Sequence, residues 1–75
     1  MIFDVIIEKD EYGYFAKIQK LEGCVSQGET YKEALKNIQE ALDLYLESLS
    51  EEELRELANK KRIVSVTPIE VELSA

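Results

Sequence analysis

The feature that most constrains the fold is a well-delimited amphipathic helix in the middle of the chain. Thr30 and Glu33 form a T-x-x-E capping box, in which the threonine hydroxyl accepts from the Glu33 amide and the glutamate reaches back to the Thr30 amide. The box predicts a helix from about Tyr31 to Ser48. Apolar residues recur along it at steps of three and four, which predicts one buried face. This stripe consists of Tyr31, Ala34, Leu35, Ile38, Ala41, Leu42, Tyr45, Leu46 and Leu49.

The residues before this helix have the alternating pattern of a small antiparallel sheet. Residues 2–8 and 14–19 are rich in β-branched and aromatic side chains, and 24–26 is a short third strand. Polar segments with glycine at 9–13 and 21–23 are suited to the connecting turns. The alternation predicts that Phe3, Val5 and Ile7 share one face of the first strand, and that Tyr14, Ala16 and Ile18 share one face of the second.

The residues after the long helix predict a short helix and a final strand. Ser50 and Glu53 form a second capping box, which predicts a helix over about 51–59. Residues 62–73 return to β character, with an apolar pattern that changes parity at Thr67-Pro68, so an irregular strand bent at that point is expected. The sequence therefore predicts an α+β fold, β-β-β-α-(short α)-β, with the long helix packed on one face of an antiparallel sheet.

The size and cysteine content point to self-association. A chain of 75 residues is one small domain, and its core alone gives marginal stability. Cys24 is the single cysteine and there is no histidine, so neither an intrachain disulfide nor a usual zinc site is expected. Because oligomerisation is the remaining common source of stability, we expect a homo-oligomer, a dimer or a tetramer.

The charge points away from nucleic acid and towards proteins. Sixteen acidic residues against nine basic ones give a net charge of -7, and the only basic run, Lys60-Lys61-Arg62, is typical of a helix end. An acidic surface suits a basic protein partner, although such charge also simply maintains solubility. The chain has no apolar run that could span a membrane and no signal peptide, so a cytoplasmic location is expected, with Cys24 as a reduced thiol used in packing.

Several spaced motifs together resemble one family. They are the acidic, aromatic turn from Asp10 to Phe15, the run Leu21-Glu22-Gly23-Cys24, the run Ser26-Gln27-Gly28, and the segment from Thr30 to Ala34 with its following helix. This pattern, which covers residues 3–46, resembles the HicB-like antitoxin family.

The resemblance implies both a fold and a partner. HicB-like domains have a partial RNase-H-like fold, and they typically inhibit a small basic toxin, HicA, that cleaves mRNA with a histidine. Many members add a C-terminal DNA-binding segment. Nothing after Leu73 is suited to one, so a single HicB-like domain over 1–75 without a DNA-binding domain is expected.

The sequence favours binding over catalysis. Without histidine, no nucleophile–base pair is evident, and the carboxylates do not converge as a metal-dependent nuclease requires, so no catalytic residue, metal or cofactor is expected. We place a partner site on the acidic hairpin, with Glu22 nearby, because a basic toxin would be attracted there. Its candidates are Asp10, Glu11, Tyr12, Tyr14, Phe15 and Glu22.

Two functions remain open at this point. The first is an antitoxin-type module that occludes a HicA-like toxin, and the alternative is a stand-alone oligomeric scaffold or adaptor of the same fold. The aromatic residues of the hairpin suit an interface, but they equally suit the core and cross-strand pairs.

Overall fold

The chain begins with a three-stranded antiparallel meander. The computed structural model describes residues 1–73 and places β1 at Val5–Asp10, β2 at Gly13–Ile18 and β3 at Val25–Gly28. The strand order is β1-β2-β3, so β2 is central and the other two strands are edges. The three strands that the alternation predicts are thus confirmed, with boundaries shifted by a few residues.

Two helices follow the sheet. Helix α1 spans Tyr31–Glu47, and the Thr30 hydroxyl accepts from the Glu33 amide at 3.0 Å, as the capping motif predicts. Helix α2 spans Glu51–Ala58, and here both bonds of the predicted box are present, at 3.1 Å to the Ser50 hydroxyl and 3.2 Å from the Ser50 amide. Helix α1 packs against the sheet, so the predicted α+β arrangement is confirmed.

The core lies between α1 and one face of the sheet. Ala34 and Ile38 of α1 meet Ala16 and Ile18 of β2, and all four side chains are buried. Phe3, Val5 and Ile7 pack against this cluster but are only partly buried. The two predicted strand faces therefore form the core face together, which is fully covered at Ala16 and Ile18 and incompletely covered over β1.

A close approach of backbone to backbone fixes α1 against β3. A Cβ atom on Gly28 would lie 2.6 Å from the Ala34 amide nitrogen, which is closer than real Cβ contacts allow. Only glycine fits at this position without a shift of the helix. The Asn37 side-chain amide also donates to the Gln27 carbonyl at 2.8 Å, which joins the two elements further along.

The predicted final strand does not form within the chain. Residues 61–73 have no regular secondary structure, and among the described residues no backbone hydrogen bond joins them to the sheet. A strand is stable only when a neighbouring edge accepts from its amides and donates to its carbonyls, and no such bonds to β1 or β3 are present among the described residues. The prediction of a bent strand over 62–73 was therefore wrong for the isolated chain. The predicted domain over 1–75 also includes Ser74 and Ala75, which lie outside the described residues.

Candidate functional site

A large concave surface lies at the end of the sheet that carries the β1–β2 turn. It is an open cleft of about 860 Å³ between this hairpin, the end of β3 and the first turns of α1. The register brings these parts together, because Tyr14 of β2 pairs with Gly28, the residue that closes β3 just before the helix. The cleft is lined by Glu8, Lys9, Asp10, Tyr12, Gly13, Tyr14, Phe15, Ser26, Gln27, Gly28, Glu29, Glu33 and Asn37.

The cleft is strongly acidic. Four carboxylates line it, those of Glu8, Asp10, Glu29 and Glu33, against the single ammonium of Lys9. Carboxylates gathered at one concavity create a negative potential that attracts cations and basic side chains. The site therefore has the electrostatics expected of a surface that receives a basic partner.

Tyr12 and Tyr14 add aromatic rings to the lining of the cleft. The Tyr14 ring packs edge-to-face on Tyr31, with centroids 6.3 Å apart and planes at 87°, and the Lys9 ammonium lies 5.5 Å from the Tyr14 centroid. Tyr14 is half-buried, whereas Tyr12 at the hairpin tip is 86% exposed. An exposed aromatic side chain with little conformational freedom is the type of residue that anchors protein interfaces.

Asp10 has a structural task in addition to its charge. Its Oδ1 accepts from the Tyr12 amide at 2.8 Å and from the Gly13 amide at 3.1 Å, and Gly13 has a φ of +141°, a value that glycine tolerates. The Asp10 carboxylate therefore shapes the two-residue turn, and the adjacent Glu11 is left free to face solvent.

The structure brings together four of the six predicted site residues. Asp10, Tyr12, Tyr14 and Phe15 line the cleft, and Glu11 lies in the same turn. Glu22 does not join them, because it follows β2 and the hairpin precedes it, so the length of a six-residue strand, about 20 Å, separates the two. Its predicted position near the hairpin was wrong.

Sequence reasoning missed the part of the cleft that Glu29 and the first turns of α1 supply. Glu29, Glu33 and Asn37 follow β3 in the chain, far from the β1–β2 turn, and the pairing of Tyr14 with Gly28 brings them to it. The T-x-x-E motif indicates a helix cap, and by itself it does not indicate that Glu33 also lies beside the β1–β2 turn. That position follows only from the strand register.

Cys24 belongs to the core rather than to the cleft. Its side chain is buried, and burial raises the pKa of the Cys24 thiol above its ordinary value because the thiolate would be desolvated. A protonated, buried thiol is a poor nucleophile. The predicted role in packing is in line with this position.

Two other features, a metal site and a membrane-spanning helix, are not found within the described residues. Within residues 1–73, no group of three His, Cys, Asp or Glu side chains is arranged to hold a metal ion. In the same part of the chain, no helix combines the length and the apolar character needed to cross a membrane.

Comparison with known proteins finds one family along almost the whole chain. Residues 3–71 match the family described as HicB_like antitoxin of bacterial toxin-antitoxin system. A UPF0150 protein of Helicobacter pylori is 51% identical over 71 residues, which are 95% of this chain and 96% of that protein. A UPF0150 protein of Thermoplasma acidophilum is 54% identical over 50 residues, which are 65% of this chain and 72% of the relative. No solved structure gives a significant match.

Proposed function

Because the chain belongs to the HicB-like antitoxin family, we propose that it inhibits a small, basic, HicA-like toxin that cleaves mRNA. The observation that carries this proposal is the acidic, tyrosine-containing cleft at the hairpin end of the sheet. A toxin that binds RNA must present a basic surface, and such a surface is complementary to this cleft.

Inhibition would result from occlusion and not from chemistry on the toxin. The four carboxylates of the cleft would pair with Lys or Arg side chains that otherwise contact RNA phosphates, while Tyr12 would bury its exposed ring against the toxin. Charge complementarity would speed the encounter, and the desolvated aromatic contact would slow dissociation. No catalytic residue or cofactor takes part in this scheme.

The proposal extends to assembly and location. A homo-oligomer, a dimer or a tetramer, would present two or more acidic clefts and bind more than one toxin molecule. The complex would act in the cytoplasm, where translated mRNA is the substrate of such a toxin.

The test is an affinity purification of the tagged chain from its native lysate, followed by an activity assay. We expect a stoichiometric partner of toxin size, rich in Lys and Arg, that is released by raised salt, because screening weakens the charge contacts. The released partner should cleave mRNA, and adding back the chain should suppress cleavage.

A matched pair of variants locates the contact surface. Glu11→Lys/Glu29→Lys reverses one exposed charge in the turn beside the cleft and one in its lining, and Glu22→Lys/Glu40→Lys makes the same change at exposed positions away from the cleft. We expect the first variant to bind the partner at least about tenfold more weakly at low salt and the second to bind nearly as the wild type does. Equal losses in both variants would move the site away from the cleft.

A purification that yields only the chain itself would overturn the antitoxin proposal. It would then favour the second candidate, a stand-alone oligomeric scaffold or adaptor of the same fold. The observation in favour of that candidate is the large apolar surface that residues 61–73 leave exposed.

A further inference from the structure

The segment that follows α2, residues 61–73, is apolar and yet almost fully exposed. Five of its aliphatic side chains are between 68% and 97% exposed. Single exposed aliphatic residues are ordinary, but a contiguous series of this kind marks a surface that is covered by another molecule. The five are Val64, Val66, Ile69, Val71 and Leu73.

The whole chain has more surface and greater extension than one small globule should have. Its accessible surface is 6513 Å², whereas a folded monomer of this mass is expected to expose about 4,700 Å². Its radius of gyration is 15.2 Å, whereas a compact domain of this length has about 11 Å. The excess surface is roughly 1,800 Å² for the single chain.

The sequence of the segment has the alternation of a strand, and in the single chain the segment forms no regular secondary structure. Ser65 and Thr67 point to the same side, since their hydroxyl oxygens are 3.1 Å apart, so Val64 and Val66 belong to the opposite side. This alternation is the one that a half-buried strand requires. Pro68 lacks an amide, and a proline is tolerated in a strand that becomes the new edge of a sheet.

The complementary surface is the open edge of β1. Val5 and Ile7 of this six-residue strand are only partly buried, and so are Leu42 and Leu46 in the second half of α1. Helix α1 lies mainly over β3 and β2, which leaves the β1 side of the core face incompletely covered. A further strand next to β1 would pair its free backbone groups and cover these side chains.

We propose that residues 63–73 of one chain form a strand along β1 of a second copy, and that the exchange is reciprocal. The segment leaves its own domain beside the start of β1, where Lys61 and Ile63 line a small pocket with Ile2 and Asp4. A two-fold axis near this point brings each segment onto the β1 edge of the other copy, in an isologous dimer. This proposal is independent of toxin binding.

A second copy is the occupant that the observations favour. The segment and the edge are present in equal number in the same chain, so reciprocal pairing leaves neither uncovered. The excess of roughly 1,800 Å² per chain exceeds the approximately 800 Å² per partner of a standard interface. In addition, no backbone hydrogen bond among the described residues joins the segment to its own β1.

The first experiment measures the mass of the purified full chain and two variants by light scattering during gel filtration. Val64→Lys/Val66→Lys puts two charges on the apolar side, and Ser65→Lys/Thr67→Lys adds the same charge to the other side. We expect a wild-type dimer, or a tetramer built from two such dimers. The dimer dissociation constant should be about 100-fold higher in the first variant because ammonium groups would enter an apolar contact. The second variant should remain dimeric.

The second experiment identifies which chain supplies the strand. In a mixed sample of ¹⁵N-labelled and ¹³C-labelled chains, we expect intermolecular nuclear Overhauser effects between residues 63–73 and residues 5–10. A wild-type monomer would overturn the proposal, and so would effects that are solely intramolecular, since the segment would then fold onto its own β1. A dimer whose contacts lie only on the outer sheet face would overturn it as well.

Discussion

Two isoleucines illustrate how differently the two ends of this chain use apolar residues. Ile38 lies on α1 and is fully buried, whereas Ile69 lies in the segment after α2 and is 84% exposed. Both belong to regular apolar patterns in the sequence. The helical pattern around Ile38 meets a sheet that the same chain provides, and the alternating pattern around Ile69 requires an open strand edge. Burial therefore depends on whether a complementary surface lies within reach and not on hydrophobicity alone.

The largest expected effect is the difference in unfolding free energy between variants of these two isoleucines. Ile38→Ala should lower the free energy of unfolding by about 3 kcal/mol, because it removes three methyl(ene) groups from a well-packed core and leaves a cavity. Ile69→Ala should change it by less than about 0.5 kcal/mol at the lowest usable protein concentration, where self-association contributes least. Urea unfolding followed by circular dichroism gives both values. Similar losses in the two variants would mean that residues 61–73 pack into the core of their own chain.

The next effect concerns the close backbone contact between Gly28 at the end of β3 and Ala34 of α1. Gly28→Ala should lower the free energy of unfolding by about 2 kcal/mol, because the added Cβ would lie 2.6 Å from the Ala34 amide nitrogen and push α1 away from β3. Ser65→Ala serves as the control in the exposed segment, and it should be neutral within about 0.5 kcal/mol. Thermal unfolding of the two variants beside the wild type provides the measurement. A neutral Gly28→Ala would show that the helix can shift without loss.

The smallest effect compares a buried and an exposed thiol. Burial raises the pKa of Cys24 above its ordinary value of 9.0, so the folded state retains its proton at a pH where the unfolded state has lost it. The free energy of unfolding should thus be unaffected by this thiol below the unfolded pKa and should fall as the pH rises through the folded pKa. Cys24→Ala should lack this additional decrease at alkaline pH.

Thiol labelling gives an independent measure of the same difference. With Ellman's reagent at neutral pH, Cys24 should react slowly, whereas the new thiol in Val64→Cys should react at the rate of a free thiol. Fast labelling of Cys24 in the folded wild type would contradict its placement in the core.

Much of the fold followed from local patterns because the chain satisfies them locally. The capping residues Thr30 and Ser50 mark helix starts that depend on neighbours three positions away, and the structure has both. The final strand could not be predicted correctly in the same way. Its alternation around Pro68 indicates a tendency to pair, but pairing also depends on where an edge is free, which the local sequence does not contain.

The candidate site also contains one part that local sequence predicts and one part that depends on long-range geometry. Asp10, Tyr12, Tyr14 and Phe15 are close in sequence, so the predicted hairpin with its acidic and aromatic residues was enough to group them, and all four line the cleft. The contributions of Glu29, which precedes α1, and of Glu33 in its first turn depend on the strand register, and the misplacement of Glu22 arose from neglecting the length of β2. Long-range geometry is what a single sequence does not give.

The proline within the exposed segment has a consequence for the behaviour of the chain at high concentration. An unpaired run of β-branched residues is a template for endless strand addition, the first step towards fibrils. Pro68 removes one amide from that template, and Glu70 and Glu72 place like charges where stacked copies would meet. The segment can thus pair with one complementary strand edge, while its proline and its charges disfavour the stacking of further copies into an aggregate.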